Sequence, residues 1–355
     1  MDLGLPPHDH RGGPALRALR AARDLDARLQ LGLARRRARR RAGAQVIGAI
    51  VRRVAWTALV VWFVVTATFA VTAAIPADPV KALLGPHATA ETIARVRAHY
   101  CLDHGVVHQY GCWLDRVARG DLGESYRSKR AVTEIIGDRL WPTVQLALAA
   151  IALQLLIGVP LGAIAALWRG RWPDRGAILV AVIGQSAPPF VVGTVLLYLL
   201  AYRWGWFPIG GYGSGGWDRI VHLVLPAMTL AAFGVAYYSR VVRSELIDAL
   251  GEDYVRTARA KGLPERIVIG RHALRNALGP LVTLVGLDLG TLLGGAVVVE
   301  FIFAWPGLGR ELLRAILEID IPLIVGAVLV VAVAIAVVNL LVDLVYLWID
   351  PRLRA

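Results

Sequence analysis

Long apolar runs alternate with short polar segments along this chain. A helix of about 20 apolar residues crosses a bilayer, and six runs reach that length. Because hydrocarbon cannot satisfy an open backbone, each run is predicted to be a helix. The pattern therefore predicts an all-α polytopic membrane protein with about six transmembrane helices. The runs are 54–77, 140–168, 176–202, 220–239, 276–299 and 321–342.

Composition supports this class of protein. Of 355 residues, 57% are hydrophobic and 18% are charged, whereas soluble proteins carry about 25% charged residues. The net charge of +13 and the Arg cluster at 35–41 are also found in nucleic-acid-binding proteins. Basic residues that flank membrane helices, however, usually set orientation. We expect a lipid bilayer as the surroundings and no nucleic acid as a partner.

The distribution of basic residues predicts the orientation. Residues 1–53 contain thirteen Arg. Residues 240–275 contain eight Lys or Arg, whereas residues 204–218 contain none. Basic segments stay in the cytoplasm, so both termini are predicted to be cytoplasmic and 204–218 external. The Arg-rich extension 1–45 is either a partly disordered tail or a surface helix on anionic lipid.

Both cysteines lie in the polar segment 78–139, which this orientation places outside. Cys101, His104, His108 and Cys112 form a C-x2-H-x3-H-x3-C pattern. A Cys101–Cys112 disulfide, two free thiols and a metal site all remain open. We expect the disulfide rather than a bound metal.

Several polar residues interrupt the apolar runs. Asp288 is an acid at membrane depth, which is a functional hypothesis by default. It either faces the pathway and meets a solute ammonium or bonds to a neighbouring helix. Pro188 and Pro189 predict a kink in the third span. The weaker pathway candidates are Gln154, Gln185, Ser186 and Asn339.

A polar island from Glu252 to Pro280 separates the fourth and fifth apolar runs. Its acids come first and its bases later, which suits a helix from Glu252 to Lys261. Gly262 suits a left-handed C-cap, and Pro264 suits the first turn of a second helix. The island is predicted to be a helix pair that projects from the membrane, either as a docking knob for a partner or as a solvated linker.

The island also resembles a known motif. RTARAKG…HALRN, from Arg256 to Asn276, is similar to the EAA loop of type I ABC importer permeases. Within these it resembles the dipeptide/oligopeptide/nickel permease family, and the likeness covers roughly 46–352. The extension 1–45 and the two cysteines match nothing in the family pattern. Further matches are GDLGES at 120–125, SAPPF at 186–190, GWFPIGGY at 205–212, FAWPGLG at 303–309 and IDPR at 349–352.

The resemblance implies a domain plan within a type I ABC importer permease fold. A first transmembrane helix and an extracytoplasmic segment occupy 46–138. The transmembrane domain occupies 139–348, with its cytoplasmic coupling loop at 243–275, and 349–355 is a cytoplasmic tail. In the family this loop sits in a groove of the ATPase subunit. The residues carried over to that role are Arg256, Thr257, Ala258, Ala260, Lys261, Gly262, His272 and Leu274.

The resemblance also implies a set of partners. They are a second permease subunit, two ATP-binding subunits and an extracytoplasmic substrate-binding protein, assembled in the bacterial inner membrane. The family carries dipeptides, oligopeptides, nickel chelates, glutathione and similar polar solutes.

The sequence itself lacks the chemistry of a motor or a hydrolase. Its three lysines, Lys81, Lys129 and Lys261, are followed by Ala, Arg and Gly, so no G-x4-G-K-[ST] phosphate loop exists. Ser214 is out of phase for a G-x-S-x-G elbow. We expect no enzymatic activity and no cofactor in this chain, with ATP hydrolysed by another polypeptide. The alternative functions are an ion-gradient-driven secondary transporter and a non-transporting membrane scaffold.

Overall fold

The computed structural model describes residues 48, 50–71, 73, 89–99 and 101–349. The interpretations of 1–45 and 350–355 lie outside these residues. The described residues fall into two compact units. Residues 48, 50–55 and 347–349 are helical and belong to one unit, and Trp56–Tyr346 form the other. The site and core described below lie in the Trp56–Tyr346 unit.

The described residues are almost entirely helical, in agreement with the predicted class. Three helices precede the main bundle, and the remaining ten follow in an order set by the apolar runs. They are α1 (Ile50–Val71), α2 (Ala90–His99), α3 (Val106–Ala118), α4 (Val132–Leu167), α5 (Trp172–Ser186), α6 (Pro189–Arg203), α7 (Gly216–Gly251), α8 (Asp253–Ala260), α9 (Glu265–Ala277), α10 (Gly279–Gly295), α11 (Val297–Ile302), α12 (Leu308–Leu317) and α13 (Ile321–Ile349).

Four helices are individually long and apolar enough to cross a membrane. These are α1, α4, α7 and α13. Two bent pairs, α5 with α6 and α9 with α10, bring the number of candidate spans to six if each pair crosses once. The six apolar runs thus correspond to four single helices and two broken ones.

The third apolar run differs from its prediction, because it is broken rather than kinked. Helices α5 and α6 meet at an angle of 105°. Ala187 and Pro188 are both extended, with ψ of 125° and 140°. Each of these residues precedes a proline, and a following proline ring disfavours helical backbone. Two consecutive prolines therefore end one helix and begin another.

The fifth run is also divided. A bend of 46° separates α9 from α10 near Leu278, and α11 follows α10 after Ala296. Pro280 lies in the first turn of α10, where its missing N–H costs no helical hydrogen bond. Glu300, which directly follows this apolar run, lies in α11 and is fully buried.

The centre of the bundle is the pair α4 and α7, which approach closely through glycine. A Cβ on Gly162 would lie 2.5 Å from the carbonyl oxygen of Ser239, and one on Gly158 would lie 3.0 Å from Cβ of Tyr238. Gly234 likewise leaves room for the side chain of Gln154. Small residues are the usual means of packing membrane helices, since lipid supplies no hydrophobic drive between them.

Candidate functional site

The polar island folds as the predicted helix pair. Helix α8 ends at Ala260, and the amide of Gly262 donates to the carbonyl oxygen of Arg259 at 2.9 Å. Gly262 has a φ of +76°, which is the left-handed conformation that glycine adopts without cost. Pro264 precedes α9 as its N-cap instead of lying in its first turn, one residue earlier than predicted.

The inner face of this pair is anchored to the bundle. Val255 and Val268 are fully buried, and Ala258 is 5% exposed. They pack in one cluster with Leu246 and Ala249 near the end of α7. The same cluster contains Ala166 at the end of α4 and Ala273 and Ala277 of α9. The helix pair is therefore a rigid extension of the two central helices, which argues against the solvated-linker interpretation.

The outer face carries most of the predicted coupling residues. Ala258 points into the cluster, while His272 and Leu274 are half-buried in a π-helical stretch, Val268–Leu274. The hydroxyl of Thr257 donates to the carbonyl oxygen of Asp253 at 2.8 Å. The exposed members are Arg256, Thr257, Ala260, Lys261 and Gly262.

An ion pair closes the turn between α8 and α9. The Arg259 guanidinium bonds to Glu265 through Nε at 3.3 Å and NH2 at 2.6 Å. This hydrogen bond lowers the pKa of Glu265 and raises the pKa of Arg259. Both side chains are exposed, so solvent and salt screen this pair and its contribution to stability is small.

A second ion pair fastens α5 to α7 beside this site. Arg243 donates to Asp174 through Nε at 2.6 Å and NH2 at 2.8 Å. Asp174 precedes the apolar run 176–202 and also accepts the amide N–H of Gly170 at 2.8 Å. Its hydrogen bonds to Arg243, more than any other cause, lower its pKa to about 2. Sequence reasoning did not single out this pair, because its two residues are distant in the chain.

The five pathway candidates lie on four different parts of the bundle. Gln154 is 2% exposed, and its Oε1 has no hydrogen-bond partner among the described residues. Asp288 is half-buried on α10. Asn339 is exposed on α13, with its Oδ1 facing Gly290. No hydrogen bond recorded for the described residues joins any two of the five.

The other two candidates lie at the break between α5 and α6. Gln185 accepts a hydrogen bond from NH2 of Arg240 at 2.5 Å. The hydroxyl of Ser186 donates to the carbonyl oxygen of Val182 at 2.8 Å and is exposed. Arg240 was counted in the sequence only as a topological signal, and its contact with Gln185 needed the tertiary structure.

A buried carboxylate, Glu300, organises the FAWPGLG segment. It accepts the hydroxyl of Thr143 at 2.6 Å and the amide of Arg310 at 2.9 Å. Side chains at Gly307 or Gly309 would collide with it. The carboxylate thus caps the N-terminus of α12, where negative charge is stabilised. In the sequence, the only sign of this cap was an acid followed within ten residues by a proline and two glycines.

The GWFPIGGY and FAWPGLG segments meet in space. The amide of Gly211 donates to the carbonyl oxygen of Phe303 at 2.9 Å. The rings of Tyr212 and Trp305 are 4.8 Å apart, edge to face, and the indole N–H of Trp305 donates to the carbonyl oxygen of Pro142. The first segment is the loop before α7 and the second is the loop after α11. These contacts therefore hold the two loops together and fasten them to α4.

The GDLGES segment is held in the same manner. Asp320, 2% exposed, accepts the hydroxyl of Ser125 and the amide of Tyr126. This contact joins the turn before α4 to the start of α13. The matched segments thus act as structural junctions between helices.

The two cysteines form a disulfide in the structure, which links Cys101 before α3 to Cys112 within it. His104 and His108 stack nearby, with ring centroids 4.4 Å apart. On the other side of α3, Tyr110 contacts Phe69 of α1 at 5.2 Å between ring centroids. The disulfide therefore lies in the segment that packs against the first helix.

The observed features define a class of protein: a helical membrane protein with up to six crossings and a rigid polar helix pair at the end of its central helices. Residues 158–355 match the family described as binding-protein-dependent transport system inner membrane components. Residues 46–147 match the N-terminal part of such components. The chain belongs to this family and is a multi-pass inner-membrane permease subunit of an ABC importer.

Two GsiC relatives agree with this assignment. The chain is 40% identical over 280 residues to the glutathione transport system permease protein GsiC of Escherichia coli strain K12, covering 79% of this chain and 90% of that one. The GsiC protein of Pectobacterium atrosepticum is 41% identical over the same coverage. An inward-facing structure of the MetNI methionine ABC transporter aligns with a TM-score of 0.48 at 20% identity, over 61% of this chain and 96% of that one.

Proposed function

We propose that the α8–α9 pair is the coupling element through which separate ATPase subunits move this permease. The observation that carries the proposal is the pair's two-sided construction. Its inner face is buried against the ends of α4 and α7, and its outer face exposes Arg256, Ala260 and Lys261. A movement of the exposed turn is therefore transmitted directly to the central helices, because no flexible linker separates them.

The proposed mechanism is conformational. ATP binding draws two ATPase subunits together, and each carries a docked helix pair with it. Because α8 and α9 are packed on the ends of α4 and α7, these helices rock with the docked pair. Rigid elements then alternate between two packings, which opens the pathway first to one side and then to the other.

The proposed assembly contains a second permease subunit as a heterodimeric partner, two ATP-binding subunits and an extracytoplasmic substrate-binding protein. This chain forms half of the pathway. The proposed cargo is a dipeptide, an oligopeptide or a related small polar solute. Support for this cargo class comes from the glutathione transport permeases to which the chain is similar.

A substitution in the turn tests the coupling role. Gly262→Val places a β-branched residue at a φ of +76°, which costs roughly 1–2 kcal/mol for a side chain. Nothing lies within 4 Å of the added Cβ, so the fold itself is not obstructed. In the reconstituted complex we expect normal membrane insertion, continued ATP hydrolysis and strongly reduced uptake of radiolabelled glutathione.

Gly176→Val is the matched control. Gly176 lies outside the helix pair, with open space around it and without a positive φ, and uptake is expected to stay near the native level. Normal transport by the Gly262→Val variant would count against the coupling role. Uptake that follows an ion gradient in the absence of ATP would instead favour a secondary transporter.

A further inference from the structure

One face of α7 is exposed from the middle of the helix to its cytoplasmic end. Within 221–240 the exposed positions are Phe233, Tyr237 and Arg240, and Ser244 continues the series. Spacings of four, three and four residues place all of them on one side of a helix. A face that met only lipid would be aliphatic, whereas this one carries aromatic rings, a hydroxyl and a cation.

The side chain of Arg240 runs back along α7 toward the predicted outer end of that helix, to reach Gln185 of α5. Helices α5 and α7 run antiparallel, because Asp174 pairs with Arg243 while Gly184 packs against Ala232. Gln185 lies eleven residues beyond Asp174, or about 16 Å along α5. Arg240 lies one turn from Arg243, yet its guanidinium reaches Gln185. Side chains lean toward the N-terminus of their helix, which for α7 is the predicted outer end.

This cation lacks a fixed counter-charge within the part of the chain that the structure describes. Arg243, one turn away, is neutralised by Asp174. Arg240 has only the neutral amide oxygen of Gln185 as its side-chain partner among those residues. A charge at membrane depth is costly and is normally kept for a function. Guanidinium offers five donors in a planar fork, so one bond to Gln185 leaves capacity for an anion.

We propose that Arg240, together with Gln185 at the α5–α6 break, forms a subsite that binds a carboxylate of the transported solute. The inference rests on the proposed permease function and names a chemical class of cargo, a solute with a free carboxylate. Arg binds carboxylates through two parallel hydrogen bonds, and the amide nitrogen of Gln185 is an additional donor. The break between α5 and α6 places the adjacent hydroxyl of Ser186 on the exposed surface beside them.

A lipid phosphate is the competing source of an anion. Phosphates lie at the headgroup level, near the ends of the spans. The contact with Gln185 holds the guanidinium about 10 Å or more farther along α5 than Asp174. The depth of the contact therefore favours a solute in the pathway over a lipid headgroup.

The first experiment tests whether position 240 is accessible to water. In the assembled complex, Arg240→Cys is treated with an anionic methanethiosulfonate reagent that reacts with thiols in water. The native cysteines are joined in a disulfide and do not compete. We expect modification of Arg240→Cys and none of Leu179→Cys, which lies on the exposed apolar face of α5. An unmodified Arg240→Cys variant would place the residue in lipid or in a closed interface and overturn the proposal.

The second experiment measures the charge requirement. Radiolabelled glutathione, which carries free carboxylates, is the probe at saturating binding protein. Arg240→Gln is expected to lower the uptake rate about tenfold or more, as loss of a bond to a charged group does, while Arg240→Lys retains most of it. ATPase activity should stay near native in both variants. Arg171→Gln, an exposed cytoplasmic-side arginine, is the control with native uptake.

The outcomes separate this inference from the permease proposal. If native complex takes up glutathione and Arg240→Gln does so equally, the subsite is wrong and the permease stands. If Arg240→Lys fails as severely as Arg240→Gln, shape and not charge matters, which also contradicts the subsite. If the native complex shows no ATP-dependent uptake of glutathione or of small peptides, the permease proposal fails, and the subsite falls with it.

Discussion

Single residues in this chain act through partners that are far away in sequence. Asp174 is the clearest case, since it becomes a buried anion only where Arg243 of α7 reaches it. Gly262 is different, because its left-handed conformation is a property of the local backbone and could be predicted without knowing any distant partner. Glu300, by contrast, depends on a distant partner. Nothing in its neighbours says that Thr143, 157 residues away, satisfies it.

The Asp174–Arg243 pair predicts a pH dependence. The pKa of Asp174 in the folded protein is about 2, below the ordinary value of 3.8. The pair therefore stabilises the folded state above pH 4 and loses that contribution as the pH falls toward 2. Asp174→Asn should therefore lower the free energy of unfolding at pH 7 by roughly 1.5–3 kcal/mol, the usual worth of hydrogen bonds to a charged group. Thermal unfolding of detergent-solubilised protein measures this. A difference from native that persists unchanged down to pH 2 would contradict the assignment.

Helices in this protein end where backbone chemistry requires it, and these ends were predicted with mixed success. The α8 helix and its Gly262 turn followed from local signals, and they lie where expected. The Pro188–Pro189 pair was recognised, but its effect was underestimated, because a 105° break depends on α7 offering a surface to both halves. The stretch Val268–Leu274 adopts a π-helix, which no local sequence signal indicated.

Two alanines on α8 provide a test of how that helix is anchored. Ala258 is buried among Val255, Val268 and Leu246, while Ala260 is exposed two residues later. Ala258→Leu should overpack this cluster, which costs roughly 1–3 kcal/mol, and lower the midpoint of thermal unfolding. Ala260→Leu should leave that midpoint unchanged. Equal midpoints in the two variants would show that the helix pair is not seated as described.

The whole molecule raises the question of orientation, which the charge pattern predicts. We expect the turn at Ala260 in the cytoplasm and the loop at Ser214 outside. In intact cells an impermeant maleimide should therefore label Ser214→Cys and should reach Ala260→Cys only after permeabilisation. The unmodified chain is the background control, since its cysteines are bonded to each other. The reverse labelling pattern would invert the topology and remove the proposed contact with ATPase subunits.

The class of protein and the position of its polar helix pair follow from the sequence alone. Run length is a local property, and a bilayer converts a long apolar run directly into a helix. The charge asymmetry is also local, and the orientation that it predicts remains a prediction. The matched segments along the chain likewise pointed to the permease family before any contact was known. These features needed no tertiary information, because each depends on a continuous stretch of residues.

Which side of each element is buried, and which polar groups meet, depends on how the helices pack. It placed Ala258 inward and Ala260 outward, closed Arg243 onto Asp174, and brought Arg240 to Gln185 across two helices. Such pairings depend on how α4, α5 and α7 pack, and that packing is set by glycines whose neighbours lie on other helices. The sequence pattern of one helix does not identify those neighbours, since the close approach of two helices depends on the surfaces of both.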